Sequence, residues 1–399
     1  MHLAPESQQK PLVLKLKKDL LRSIKRGHPW IYDDALETRP SAPPGCWAAL
    51  KDKNNKNVAY GFYNSTSQLA FRVCILDKKD LHIDWVEARL INAKKQRGHL
   101  IDDPSTTAFR LVNGEGDGLP GLILDIYGDT AVMQVDGEAP ASFWNQEGIA
   151  HWVAHNLNIQ HVYLKPRRKE QIKGRALYGE IPEEEFVIQE NGALYAIDVI
   201  NGQKTGFFLD QRENRLRIRS LVKNKNVLNV FGYTGGFSIN AGLGGASHVT
   251  TVDLSPQAIE ASHRNWALND LSQDKHEGIV ADAFDFFEQA RAADKKWDVT
   301  IVDPPSFAPS KETVKRAIDS YTRLFTAALR ITLPGGLFCP ASCSSHIPHT
   351  LFLEICTQAF SNARHRGQVL GIHGQTEDHP YPLACPEMRY LKFAVFKVF

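Results

Sequence analysis

Val227–Leu254, VLNVFGYTGGFSINAGLGGASHVTTVDL, decides the fold. The apolar run VLNVF stops at a cluster of glycines, FSINAGLG repeats apolar residues at helical spacing, and HVTTVDL opens a second apolar run. A strand, a tight turn, a helix and another strand make one βαβ unit, whose strands lie parallel because the crossover is long. The alternation continues: PQAIEASHRNWALN follows, then GIVADA with FDFFEQARA, DVTIVDPP with a helix over Glu312 to Arg330, and LFCPASC with HTLFLEICTQAF. Five such repeats predict a doubly wound, mostly parallel α/β sheet of the Rossmann-like type with helices on both faces. YLKFAVFKVF is expected to close it as an edge strand.

Upstream, Phe186 to Ile200 is a pair of alternating runs around Asn191-Gly192, a strong hairpin signal. From residue 11 to 76 the short segments VLKL, WIYD, CWAALKD, VAYGFYN and LAFRVCIL are separated by turn signals such as PSAPPG and DKNNKN. Strands this short and close predict a small β-barrel. Between them lie a helical pattern, IDWVEARLINAKKQR, the glycine-rich strands of FRLVNGEGDGLPGLILDIYGD and TAVMQVD, a second helix near FWNQEGIAHWVAHNL and a strand at HVYLKP. The expected organisation is therefore a barrel over 1–78, a central α+β domain over 79–185 and the α/β domain over 186–399.

A chain of 399 residues, 43% hydrophobic, can bury two or three cores at about 100–200 residues each. No apolar run approaches the roughly 18 residues of a membrane span, and the first twenty residues lack a signal-peptide pattern, so the cytoplasm is expected and no membrane partner. Six cysteines at 46, 74, 339, 343, 356 and 385 form no C-x-x-C pair, which argues against a disulfide framework or a metal site. The formal net charge of +2 hides three basic clusters: Lys10 to Arg26, KPRRKEQIKGR at 165–175, and Arg212 to Lys225. They suggest a polyanion-binding face, against the plainer reading of solvated surface.

Ligands of open α/β sheets bind beyond the carboxyl ends of the strands, so the loops there carry the chemistry. The first holds Phe231, Gly232, Tyr233, Thr234 and Gly235, where glycines allow a tight turn and a close approach but do not spell the dinucleotide G-x-G-x-x-G. Asp253-Leu254 ends the second strand, where a carboxylate can accept from a ribose diol; Asp282-Ala283 follows the third, where one can accept from an adenine amine. Either acid alone fits a helix cap as well. Together with the glycine loop they fit adenosine without a pyrophosphate, which favours S-adenosylmethionine over NAD.

Asp303-Pro304-Pro305-Ser306-Phe307 follows the fourth strand. Its prolines stiffen a loop that can hold a flipped base by its Watson-Crick edge, with Asp303 also beside the cofactor and Pro304, Pro305, Phe307 and Lys311 as base contacts. Cys343, after the fifth strand, faces the same crevice. Methylating carbon 5 of a pyrimidine needs a thiolate to add at carbon 6, whereas a ring or exocyclic nitrogen needs none. The plainer reading of Cys343 is a small buried hydrophobe, like Cys339 and Cys356.

On these residues the sequence resembles a known family, the RlmI-like bacterial 23S rRNA (cytosine-5) methyltransferases, over nearly the whole chain. The resemblance rests on Gly27-His28-Pro29-Trp30, "NGEGDGLPGLILDIYGD" (113–129), "NGQKTGFFLDQRENR" (201–215), "VFGYTGGFSINA" (230–241), "DPPSFAPSK" (303–311) and "DHPYPLACPEMRYLK" (378–392). It implies an N-terminal PUA domain, a class I S-adenosylmethionine-dependent methyltransferase domain, 23S rRNA as partner and 5-methylcytosine as product. It also implies Cys343 as nucleophile, Asp303 as a catalytic partner on the base, and Phe208, Asp210 and Arg212 as cofactor contacts. The resemblance does not identify the proton-removing base; His346 and His379 lie within sequence reach, against the plainer reading of a satisfied surface or core histidine, and a homodimer is left open. Two other readings stand: a nucleobase N-methyltransferase, for guanine N7 or adenine, and a non-catalytic RNA-binding assembly factor.

Overall fold

The computed structural model describes all residues except 1–2, 4–9, 78–83, 168–173, 182–184 and 309, and the side chain of Lys311. The middle of the 165–175 basic cluster and the Lys311 side chain therefore lie outside the described residues. The chain forms two compact units, one of Met1–Ile188, Ile197–Leu209 and Glu377–Pro386, the other of Gln189–Ala196, Asp210–Thr376 and Glu387–Phe399. Among the described residues no helix is long and apolar enough to cross a membrane.

The first unit holds two five-stranded sheets. One joins Leu12–Lys15, Cys46–Lys51, Asn57–Tyr63, Leu69–Ile75 and Trp30–Tyr32 in that spatial order; the other joins Arg175–Tyr178, His161–Leu164, Thr130–Val135, Leu122–Tyr127 and Ala108–Asn113. They share a core. Phe62 of the first sheet stacks on Phe143 with ring centroids 4.7 Å apart, and Phe143 meets Trp144 edge-on at the same separation. Glu115 bridges them in polar terms, accepting from Trp30 Nε1 and from Arg72 Nη1, each at 2.8 Å.

That glutamate belongs to the 113–129 stretch, and its neighbours behave alike. Asp117 accepts both ends of the Arg97 guanidinium at 2.6 and 2.9 Å, and Asp125 does the same for Arg110 at 2.7 and 2.9 Å. The segment from 377 folds onto them: Asp378 Oδ2 accepts from the Arg110 amide at 2.9 Å, and the Pro380 carbonyl from Asn113 Nδ2 at 2.7 Å. A Cβ on Gly116 would lie 1.9 Å from the Pro380 oxygen, so a side chain there is excluded. Tyr127 and Thr205 bond through their hydroxyls at 2.8 Å, which ties in the 201–208 segment as well. The acids of this stretch hold buried arginines, a structural role that buried charges require.

The second unit is built on seven strands: β1 (Asn226–Val230), β2 (His248–Asp253), β3 (His276–Val280), β4 (Trp297–Val302), β5 (Thr332–Ser342), β6 (Gly367–His373) and β7 (Lys392–Val398). Their spatial order is β3-β2-β1-β4-β5-β7-β6. β1 to β5 are parallel, and β7 runs antiparallel to both of its neighbours. The helices are α1 (Gly236–Leu243), α2 (Pro256–Leu268), α3 (Ala283–Ala292), α4 (Val314–Arg330) and α5 (His349–Ala363). Strand residues alternate between two cores, Val227, Val249 and Val299 packing with Phe237 and Trp266 on one face, Leu228, Val252 and Val302 with Phe286, Phe325 and Phe352 on the other.

The expected terminal edge strand is corrected. β7 sits between β5 and β6, and the edge is taken by β6, whose sequence GQVLGIH gave no strand reading. The reason is visible in burial: six of the seven β7 residues, KFAVFKV, are buried, as a strand covered on both faces demands, while β6 is largely exposed.

Candidate active site

Strand order reverses between β1 and β4, so the loops after these two strands part at a switch point and leave a crevice. The loop after β1 is strained. Phe231 and Tyr233 hold φ of 60° and 46°, Gly235 one of 86°, and a Cβ on Gly232 would lie 2.4 Å from Thr251 Cγ2. Non-glycine residues at positive φ cost free energy and persist where the surroundings dictate them. Here the surroundings are polar and buried: Asn229 donates to Ser238 Oγ at 2.8 Å, and Ser238 and Thr251 share a hydroxyl bond of 2.7 Å. Thr251 Oγ1 also meets His276 Nε2 at 2.8 Å. Burial, with His263 and His248 nearby, pulls His276 down to about 3, so it is neutral.

Asp253 joins two loops, Oδ2 accepting from the Tyr233 amide and Oδ1 from the Ser255 amide, both at 2.9 Å. Leu254 beside it is exposed. Asp282 caps α3 through Oδ1, which accepts from Phe284 N at 2.8 Å and Asp285 N at 3.4 Å. Both hydrogen bonds use one oxygen of an exposed residue, with Ala283 buried behind it. Nine candidate positions after β1, β2 and β3 thus share one edge of the sheet.

After β4, Asp303 is half-buried and its Oδ2 accepts from Gln211 Nε2 at 2.9 Å. Gln211 is itself held by Asn214 Nδ2 at 2.6 Å. Pro304 is buried and Pro305 exposed. Phe307 is half-buried, and its ring lies against Tyr321 with centroids 4.7 Å apart. Lys311 opens a short 3-10 turn, Lys311–Thr313.

The flanking serines of Cys343 are buried and bonded. Ser344 Oγ meets Ser306 Oγ at 2.9 Å and Tyr321 OH at 2.9 Å, and Ser342 Oγ donates to Tyr321 OH at 3.1 Å. The D-P-P-S turn and the S-C-S turn are therefore one hydrogen-bonded body. Cys343 between the serines is half-exposed, whereas Cys339 and Cys356 are buried and burial pushes their thiols well above the ordinary range. Beneath the turn lies Lys392 of β7, fully buried, with Nζ donating to the Ser344 and Tyr390 carbonyls at 2.6 Å each.

The 201–215 stretch divides between the units. Phe208 belongs to the first, where the Lys204 ammonium lies 4.6 Å from its ring centroid. Asp210 and Arg212 belong to the second, buried, Asp210 Oδ2 accepting from Tyr390 OH at 2.6 Å and Arg212 Nη2 donating to Thr376 Oγ1 at 2.7 Å. His346 is half-buried next to the S-C-S turn, while His379 is buried in the first unit, its Nδ1 3.0 Å from Asp378 Oδ1. Sequence reading missed Gln211, Tyr321, Ser344 and Lys392. The two serines around a cysteine were the signal for Ser344; nothing local marks the other three.

Two family models match the chain: an S-adenosylmethionine-dependent methyltransferase over residues 145–365 and a PUA-like domain over 14–74. A protein of Aeromonas salmonicida named ribosomal RNA large subunit methyltransferase I is 36% identical over 390 residues, covering 96% of this chain and 98% of its own length. Among solved structures, an S-adenosylmethionine-dependent methyltransferase from Streptococcus mutans superposes with a TM-score of 0.86 at 25% identity, over 97% of this chain and all of that one. A methyltransferase complexed with SAH, at 26% identity, gives the same TM-score over 98% of this chain and all of its own. The donor chemistry at this edge fits that cofactor: Asp253 and Asp282 are carboxylate acceptors at the ends of neighbouring strands, beside a glycine loop packed too tightly against Thr251 for a side chain at Gly232. The chain belongs to the family of S-adenosylmethionine-dependent, PUA-bearing ribosomal RNA large subunit methyltransferases.

Proposed function

We propose that this protein methylates carbon 5 of a cytosine in large-subunit (23S) ribosomal RNA, with Cys343 as the nucleophile. The observation that carries the reading is the 2.9 Å bond between Ser306 and Ser344, which fastens the base-holding turn to the turn bearing a half-exposed thiol. A nitrogen target would need no such thiol.

Carbon 5 of cytosine is a weak nucleophile. Cys343 Sγ adds to carbon 6 as the carbon 5–carbon 6 π bond breaks, its electron pair passing to carbon 5 in conjugation with the ring nitrogen, and Asp303 hydrogen-bonds that nitrogen or the amine, carrying a proton where it faces the nitrogen. S-adenosylmethionine, when bound, supplies the methyl group. Once carbon 5 carries it, a base takes the carbon 5 proton, the double bond re-forms and the carbon 6–sulfur bond breaks, returning the thiolate. The Phe231–Gly235 loop, Asp253 and Asp282 would hold the cofactor, and the rigid Pro304-Pro305 turn would hold the flipped base.

The barrel (1–78) and central α+β part (79–185) are assigned to gripping RNA and residues 186–399 to chemistry, with the basic clusters on phosphates. Such a substrate puts the protein in the cytoplasm. Incubating the whole protein with S-adenosylmethionine and rRNA containing 5-fluorocytosine tests the mechanism, because fluorine cannot leave as a proton does. A denaturation-resistant adduct is expected with the native chain and none with Cys343→Ala. Methyl transfer by Cys343→Ala at the native rate overturns the covalent reading.

A further inference from the structure

A fully buried lysine ammonium requires compensation, because an isolated charge is expensive away from water. Lys392 is 0% exposed. It reaches the ligand edge of the sheet because β7 runs against β5, so the amino end of β7 lies beside the carboxyl end of β5, with Lys392 paired to Ser342. Two of its N–H groups bind the Ser344 and Tyr390 carbonyls. An ammonium has three donors.

The Lys392 side chain runs from its partner Ser342 to the oxygen of Ser344, and the residue spanned is Cys343. We propose that Lys392 is the positioning residue that arms Cys343, holding its sulfur as thiolate and fixing the turn that presents it; this rests on the covalent reading above. The step is a proton transfer: the Sγ–H bond breaks, an Nζ–H bond forms, and the ammonium's third donor faces the thiolate. Nothing else is oxidised, reduced or transferred.

The energetics are matched. Burial pulls Lys392 down to about 8, with Cys343 opposing that shift, which brings the amine close to the roughly 8.5 of a free thiol. A neighbouring cation then favours the sulfur anion. Of the titratable groups packed here, Tyr321 from α4 faces Cys343, and His349 at the start of α5 faces Lys392 and Arg389. Tyr321 and Arg389 carry no negative charge at neutral pH. Burial, with Arg389 and Lys392 beside it, pulls His349 down to about 4, so it stays neutral and adds no charge at the turn.

The test is iodoacetamide alkylation of the whole protein between pH 6 and 10, with the Cys343 peptide followed by mass spectrometry. The native profile is expected to have its midpoint below about 8.5. Lys392→Met should shift it up by a unit or more, slowing alkylation at pH 7 about 10-fold, while Lys392→Arg keeps most of the native rate. Cofactor binding by calorimetry reports that each variant is folded; Lys392→Gln replaces the Met variant if that one does not fold. An unchanged Cys343 profile in a folded Met or Gln variant, or a native midpoint at or above that of a free thiol, overturns the proposal. Cys343→Ser separates the two readings: full methyl transfer by it removes the covalent mechanism, whereas an inactive Cys343→Ser alongside an unchanged Lys392→Met profile removes only the lysine's role.

Discussion

Ser344→Ala tests whether the two site turns work as one body. Its hydroxyl lies 2.9 Å from both Ser306 Oγ and Tyr321 OH, and the Ala308 amide points at it from 3.4 Å. Tyr321 would keep Ser342 at 3.1 Å, so no buried hydroxyl is left without a partner. The loss is then two ordinary neutral bonds at about 0.5–1.5 kcal/mol each, with a central value of about 2 kcal/mol. For a unit of this size that lowers Tm by about 4–8 °C. Losing the Ser306 tether lets the Asp303 turn drift from Cys343, and a displacement of about 1 Å costs on the order of 100-fold in kcat. Cofactor affinity should hold within about twofold, because Ser344 lies after β5 and the cofactor loops after β1 to β3. The assays are thermal melts, calorimetry with S-adenosylmethionine and single-turnover methyl transfer to rRNA, with Ser345→Ala, an exposed neighbour, as control. A native kcat in a protein that has lost the expected stability would refute the coupling, as would an equal loss in the control.

Gly232→Ala forces a Cβ to within 2.4 Å of Thr251 Cγ2, so calorimetry should find cofactor affinity reduced at least about 10-fold even where the variant folds. His276 gives a pH signature: its folded value of about 3 lies below the unfolded value of about 6.5, so as pH falls through 6.5 only the unfolded chain gains the proton. Stability contributed by neutral His276 is complete above that value and declines towards pH 3; between pH 7 and 5 the loss is about 2 kcal/mol. Urea titrations at the two pH values should show a smaller loss for His276→Phe, which keeps the ring stacked on Trp266 but cannot titrate. For the basic face, the salt dependence of RNA binding should flatten by about 2 in log–log slope in the Lys17→Ala/Arg22→Ala double variant. An unaltered slope would remove that cluster from the RNA surface.

The repeating strand and helix periods made the α/β sheet legible, because each period-marked run ends in a loop and the sheet's parallel order puts those loops on one edge. That rule alone picked out Asp253, Asp282, Asp303 and Cys343 as candidates. Strand order was not legible: β7 reads the same whether it lies inside or at the rim, and only packing on both faces separates the two. The partners that tune the site were hidden for a related reason. Gln211 reaches Asp303 across 92 positions and Lys392 reaches Ser344 across 48, so no local pattern joins them. Asp210 and Arg212 were marked only by the family resemblance, and their bonds to Tyr390 and Thr376 join positions 180 and 164 apart, beyond any local pattern.

The inner position of β7 has a consequence for the order in which the protein becomes reactive during synthesis. β6 pairs with β7, and β5 waits for the same strand, so a nascent chain interrupted before residue 392 carries an open slot in its sheet, with β6 unpaired and β5 paired to β4 alone. In such a chain Cys343 is already present but its cation is not. On the proposed role of Lys392, sheet closure and the arming of the thiol are one event, and truncated translation products would carry the cysteine without its activating neighbour.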